Sequence, residues 1–528
     1  MQWFYRYKLY ILLSCVFLAN SISAQTKIEQ ITIEYADELE GIQQRGKEIK
    51  ILRGNVFVSQ DSVKLYCDSA FLNQTENIIK AFGHVHINQH DSIHTYSDSA
   101  KYNGNTKVAV LYENVKMTDN TSILTTDLLT YNLNSKIGTY QNGGKVDNGE
   151  TVLTSEAGYY YANSDDAYFK DSVKLVHPEY KLEADTLKYN TAIDRAYFLG
   201  PTNIYNEKSK VYCEDGYYDS KTGLAVFNKN VKLDNPPQFV TADSIYYNRE
   251  TGIGKAYRNV VFRDTAQNVL QYSNFGIYNE IDETIISTNG AIAAYIIEDD
   301  TLYIGGDTIF VKEDSLKKKT MVVYNNVKIY KNDIQGICDS LFYSDMDSTI
   351  RMYGLPVLWS DSTQFSSDTI FMVLKNKNLE QIELHTNGFI VNYLDSLIYN
   401  QLKGRTVYGY FKNDSLYKIH AIGNGESLYF AQDESKAYVG LNYTQCSEIL
   451  IKIKQNKFSR VSFNLQPVAK FTPMQLASPS DFNLLNLNWE IDIAPQSKED
   501  LLKPVERHQP IEIEEENPSE ERSSQNDG

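Results

Sequence analysis

The sequence predicts an all-β protein: tandem hairpins of about 29 residues, stacked into an elongated antiparallel sheet that is folded lengthwise into a V. Three observations predict it. The first is a repeated phrase. Residues 240–262, VTADSIYYNRETGIGKAYRNVVF, hold a small residue, an acid and Ser-Ile-x-Tyr-Asn, then a polar turn and Ala-x-x-x-Val-x-Phe. The acids Asp98, Asp127, Glu156, Asp185, Glu214 and Asp243 follow one another at intervals of 29 residues. Looser copies place the same slot at Asp37, Asp68, Asn274, Asp307, Asp339 and Asp368.

The second observation is the turns. Asn- and Gly-rich stretches at 103–105, 132–135, 190–191, 219–223 and 248–252 separate runs of about ten residues. Two such strands and two short turns fill one period, which reads as an antiparallel meander.

The third is parity. Before the acid, apolar residues stand one and three positions back, as in Leu182 and Ala184 or Val240 and Ala242. After it they stand two and four positions on, as in Leu187 and Tyr189 or Ile245 and Tyr247. A straight strand cannot bury both sets on one face, because side chains alternate with period two. A bulge or bend at the acid–Ser step reconciles them. The second strand keeps one parity but is interrupted, at Lys229 between Phe227 and Val231, and elsewhere at Gly83, Gly144, Gly200 or Arg258. Each strand is therefore two apolar arms joined at a corner. About 24 such strands at 4.8 Å spacing would extend on the order of 115 Å.

In chain order, Arg6 and Lys8 precede an apolar run at 9–18, and Ile22-Ser23-Ala24 fits a cleavage site. Residues 1–24 read as a secretory signal peptide, so the mature, exported chain would start at Gln25. Cys15 raises a lipoprotein alternative, against which the apolar run continues through Val16, Phe17 and Leu18. Residues 25–430 are the repeats. The first is locally basic at Arg45, Lys47, Lys50 and Arg53 and reads as a solvated edge. After 401 the spacing changes. Residues 431–496 hold a hairpin around Gln455-Asn456 and a looser segment with Trp489. Residues 497–528 are charged, strongly acidic over 512–521, and read as a disordered tail.

The formal net charge of −17 and the lack of a basic patch argue against nucleic acid as a partner. Forty tyrosines and twelve prolines suit sheet. The position before the acid is always small and includes Cys67, Cys213 and Cys338. These cysteines read as fillers of one column. Copies in even adjacent repeats would lie about 10 Å apart, beyond disulfide reach, so no bridge is expected among them.

No catalytic residue and no metal or cofactor site stands out. The acid column reads as structural, each acid satisfying bent backbone through local hydrogen bonds. His84, His86, His90 and His94 cluster in one repeat, but no histidine pattern matches a metal motif. No nucleophile elbow, phosphate loop or dinucleotide fingerprint occurs.

The tandem units at 97–117, 183–204 and 241–262, with the opening LRGNVFV at 52–58, resemble the OstA/LptA-like family of lipopolysaccharide-transport proteins. The likeness covers residues 30–430. The resemblance implies a V-shaped β-jellyroll, or β-taco, whose apolar groove shields acyl chains of lipopolysaccharide or lipid A in the periplasm. Two departures stand out: more repeats than the short bridge protein of the family, and nothing after residue 430 to supply the barrel of its outer-membrane member. On this reading the groove is lined by the Val-x-apolar pairs Val85 and Ile87, Val115 and Met117, Val231 and Leu233, Val260 and Phe262, and Val327 and Ile329. Exposed sheet edges would receive inner- and outer-membrane transport components or a head-to-tail copy of the chain. Two alternatives stand beside it: a structural or adhesive scaffold with a filled core, and a parallel β-helix acting on polysaccharide.

Overall fold

The computed structural model describes residues 29–505 apart from Arg45, 90–92, 119–121, Ala162, 298–299, 376–377, Leu397, 413–414 and 455–456. The signal segment, Cys15, His90 and the acidic run 512–521 lie outside the described residues. Within them are 34 strands and four short 3-10 turns. The strand pairings described below are all antiparallel, so the architecture is the hairpin meander and not a parallel β-helix. Contacts divide the chain into two compact units where one continuous domain was expected. One comprises residues up to Glu207 with Asp219–Lys221, the other Lys208–Tyr218 with Thr222 onward.

The parity switch is real and recurs in both units. In Val63–Asn73, the residues Val63, Leu65 and Cys67 are buried before the acid, and Ala70 and Leu72 after it. Asp68 and Ser69 between them both turn outward. The neighbouring strand supplies the compensation. Arg53 pairs with Ser69 and Val56 with Cys67, so two residues, Gly54 and Asn55, face the single Asp68. The same two-to-one mismatch sets Glu113-Asn114 against Asp127 in the first unit and Lys229-Asn230 against Asp243 in the second. An extra residue on one strand is a bulge, and a bulge bends the sheet.

Both bulge residues adopt positive φ: Glu113 62° and Asn114 51°, Lys229 59° and Asn230 54°. Asn tolerates that region better than most residues, which explains the recurring x-Asn-Val signature. Its side chain also reaches back to the acid of the preceding strand. Asn114 Nδ2 donates to Asp98 at 2.7 Å, Asn230 to Glu214 at 2.9 Å and Asn259 to Asp243 at 3.1 Å. The acids are thus tied across strands, which corrects the local bonding expected of them. The local bond belongs instead to the residue before the acid. Ser97 Oγ donates to the Ser99 carbonyl at 3.0 Å, Ser155 to that of Ala157 at 2.9 Å, and Cys67 Sγ to that of Ser69 at 3.3 Å. Cys446 does the same to Glu448 at 3.1 Å, so it belongs to the column as well. Cys67, Cys213, Cys338 and Cys446 are all buried, and no disulfide joins them.

The C-terminal segment departs most from expectation. The strands continue to Val468–Pro473. The chain then returns across the outer face of the second unit as a strap ending in the 3-10 turn Lys498–Leu502. Residues 497–505, read as the start of a tail, are therefore folded. The sheet beneath carries apolar residues on both faces. Ile337, Val357 and fully buried Trp359 meet Ala494, Ile491 and Ile493 of the strap. Phe389, Val391, Leu428 and Phe430 meet Leu484, Phe482 and Trp489. Two buried glutamines bracket the strap's backbone. Gln401 donates to the Phe482 carbonyl at 2.7 Å and accepts from Leu484 N–H at 2.8 Å. Gln364 donates to the Asn488 carbonyl at 2.6 Å and accepts from Glu490 N–H at 2.8 Å. Gly305 is glycine because of this crossing: a Cβ there would come within 2.9 Å of Leu501 Cβ.

Asn114→Val places a β-branched side chain at φ 51° and removes the bond to Asp98. It should destabilise the first unit by roughly 1–3 kcal/mol, while Asn114→Gly costs less because glycine accepts that backbone. Denaturant unfolding of the two variants checks the order. Equal midpoints would show that the corner does not depend on the backbone at this site.

Candidate functional site

The acid column holds no reactive cluster. No group of three or more His, Cys, Asp or Glu side chains suited to a metal ion occurs among the described residues. His84 Nδ1 lies 2.8 Å from Asp68, whose hydrogen bond and charge raise the imidazole's pKa. His86 and His94 meet ring nitrogen to ring nitrogen at 3.1 Å, and burial lowers the pKa of His86. The rings of Phe57, Tyr66, His86 and Tyr96 stack in succession along the outer face. These contacts account for the histidines as parts of a cross-strand ladder.

The interior is the better candidate. Of the ten residues expected to line it, Val85, Ile87, Val115 and Met117 are buried in the core of the first unit. Val327 and Ile329 are buried in that of the second. Val231 and Val260 are buried at the corner of the second unit, whereas Leu233 and Phe262 are only half-buried. The ten do not form one surface, and the reason lies at the lips of the fold.

In the first unit the two lips meet. Tyr102 OH donates to Gln60 Oε1 at 2.5 Å, and Gln60 Nε2 donates to the Gly104 carbonyl at 2.9 Å. One repeat later Tyr131 OH donates to Gln89 Oε1 at 3.3 Å, and Gln89 Nε2 to the Leu133 carbonyl at 3.1 Å. Lys107 and Asp61 form an ion pair beside them. Tyr102 and Tyr131 are each 2% exposed. Burial pushes the Tyr131 hydroxyl up to about 12 and Tyr102 well above the usual phenol range. This section is a roll sealed by a tyrosine–glutamine zipper over a filled core.

The same tyrosine column continues at 29-residue intervals without the glutamines. Tyr189 bonds Asp194 of its own turn, and in the second unit Tyr247 donates to Glu280 at 2.6 Å. In that unit, across the strands Leu224–Asn235, Gln238–Asn248, Ile253–Asp264 and Val269–Asn279, the lip residues Leu233, Val240, Tyr247 and Phe262 are only half-buried. One lip row runs Leu233, Val240, Phe262, Gln271. The opposite row runs Ala225, Tyr247, Gly254, Tyr278, and Tyr278 is 44% exposed. The corner between them is floored by small side chains: Ala242, Ala256, Ser273 and Gly276. Four strands make a trough of about 20 Å. Beyond it the unit closes. Lys319 Nζ reaches Gln267 Oε1 at 2.9 Å and Asp264 at 3.5 Å, and Tyr295 OH meets Met321 Sδ at 3.3 Å.

Fold and site together define a class: an antiparallel hairpin-repeat roll with an apolar interior that is sealed in some sections and open in others. The OstA-like protein family matches residues 28–185 and 181–243, under half of the chain. The family is one of lipid-transport-related β structures. No curated protein matches the chain. Among solved structures, the extracellular domain of a one-component system from B. thetaiotaomicron aligns over 82% of this chain and 98% of its own, at 8% identity and a TM-score of 0.07. A likeness that slight carries no argument. No helix among the described residues is long and apolar enough to cross a membrane.

Three cysteines of one column sample both kinds of section. Cys67 lies in the sealed part of the first unit and Cys338 in the closed core of the second. Cys213 belongs to the strand preceding the trough, where Gly216 abuts Val226. Burial raises the Cys67 thiol to about 11 and Cys213 to about 12, and Cys213 is fully buried where Cys67 and Cys338 are 5% exposed, so in a closed interior Cys67 would react first and only entry through the trough reverses the order. An alkyl methanethiosulfonate should instead modify Cys213 on the order of tenfold faster than Cys67 or Cys338. Mass mapping of the labelled sites checks this, and a Cys67-first order would remove the trough.

Proposed function

We propose that this protein binds lipopolysaccharide or lipid A in the periplasm and shields its acyl chains in the apolar interior during transport to the outer membrane. The supporting observation is the contrast between sections: the same tyrosine and aliphatic rows are tied shut in one and left half-exposed in the trough of the second unit. Each acyl methylene buried there contributes about 0.8 kcal/mol. Sugars and phosphates would remain at the lips, in water. No covalent chemistry is asked of the site, and the protein acts as a carrier. The family match over residues 28–185 and 181–243 supports the lipid class.

The sealed sections favour the filled-core scaffold as a description of those parts. The trough then sets where lipid is held, and lipid reaches it from the side. Partners would add strands at the sheet edges. The first edge, Thr32–Tyr35 and Glu38–Gln44, exposes Glu34, Asp37, Glu38 and Glu40. The last edge exposes Arg460 and Lys470. Opposite charge at the two edges suits transport components or a second copy joined head to tail.

Photo-cross-linkers at Leu233 and Phe262 should capture lipopolysaccharide, and those at Val85, Val115 and Val327 should not. Gly276→Leu tests the volume. A Cβ at Gly276 has only ordinary contacts, 3.8 Å from Ile286 O and Val260 Cγ1, so leucine can fill the floor of the trough. It should cut lipid binding by roughly tenfold or more while leaving the melting temperature within a few degrees. Native mass spectrometry with and without added lipid reads both. Undiminished binding by Gly276→Leu would place the lipid elsewhere.

A further inference from the structure

Gln271 stands out in the lip row of the trough. It pairs with Phe262 on one side and with Ala293, a residue of the interior core, on the other. Its side chain therefore lies on the interior face, among Leu233, Val240 and Phe262. Only 5% of Gln271 is exposed, and its Nε2 has no hydrogen-bond partner among the described residues. A buried amide without a partner costs stability, and the cost is retained only where something else uses the donor. The zipper glutamines of the first unit, Gln60 and Gln89, show the contrast. They too sit at the lips, and both of their amide groups are satisfied.

The position of the donor constrains its partner. It lies one row inside the strand end, where Asp264 and Val269 form the outermost pair. Hydrocarbon lies deeper, over Ala256 and Gly276, and water begins beyond Asp264. An acylated lipid places its strongest neutral acceptor at that depth: the carbonyl oxygen of the ester or amide that joins each chain to its headgroup. We infer that Gln271 Nε2 donates a hydrogen bond to the acyl carbonyl of the bound lipid, and that the trough thereby selects acylated lipids over chains of equal length without a carbonyl. This rests on the groove reading above and adds the group that is recognised. A carbonyl accepts without bringing charge into the interior, whereas a phosphate at this depth would need a buried cation. Lys319, a cation near the trough's closed end, is already held by Asp264 and Gln267.

The test compares two probes on the full mature chain: a dimyristoyl ester phospholipid and its ditetradecyl ether analogue, which has the same headgroup. The wild-type protein should bind the ester roughly five- to tenfold more tightly. Gln271→Met, which keeps length and loses the donor, should bind both alike, at the ether's affinity. Without lipid, Gln271→Met should melt at a higher temperature than the wild type, because an unpaired buried amide has been removed. That shift needs no lipid and is opposite in sign to the effect on binding. Equal binding of ester and ether by the wild type overturns the assignment and leaves the groove standing. An ester preference that survives in Gln271→Met also overturns it. Failure of both probes to bind overturns the groove and this inference together.

Discussion

The whole architecture depends on one constraint: a strand that buries alternate residues cannot change face without a local irregularity. This chain changes face at the acid in repeat after repeat. The change is made possible by the extra residue on the neighbouring strand, held at positive φ by an asparagine or glycine. Repetition of that mismatch lines up the bends, and aligned bends fold each part of the sheet along a crease. The interior is what the crease encloses. The acid, the small donor before it and the asparagine across from it belong to one hinge. That explains why a column of carboxylates persists along the chain without any chemistry attached to it.

This hinge was legible in the sequence, and its consequences were less so. The period, the turns and the parity switch place every corner, because each rests on side-chain alternation, which is local. The bond partners were misplaced because they lie about 16 residues away in the next strand, as with Asp98 and Asn114. The x-Asn-Val signature carried that information: an asparagine fixed directly before an alternating apolar residue marks a left-handed position. The strap was missed for a different reason. Residues 474–505 have no repeat and no sustained apolar alternation, and their anchors, Gln364, Gln401 and Trp359, read as ordinary strand positions on an outer face. Only the sheet's second apolar layer reveals that something covers it.

The open or sealed state of the interior was not legible from the lining itself. Val115 and Val260 occupy equivalent slots, yet one lies in a sealed section and the other at the corner of the trough. The difference is made at the lips. A glutamine opposite the tyrosine closes the fold, as at Gln60 and Gln89. The residue one period after Gln89 is Thr118, followed by Asp147, Val176, Tyr205 and Asp234. The glutamine column therefore ends while the tyrosine column continues. A comparison of the two columns, made together, would have located the change.

Sealing and binding compete for the same polar groups, and the direction of that competition follows from burial. A glutamine paired with tyrosine stabilises the closed roll, because both partners leave water together and neither amide group is wasted. A glutamine without such a partner destabilises the lipid-free protein and acquires value only with a ligand. Apolar lining alone would hold any chain and would gain equally from every methylene, so selectivity has to come from the polar rim. A fold made from one repeated hairpin can thus assign closure to one stretch and recognition to another without altering its core. The substitutions that decide between them fall on lip rows, where each side chain is one residue away from solvent.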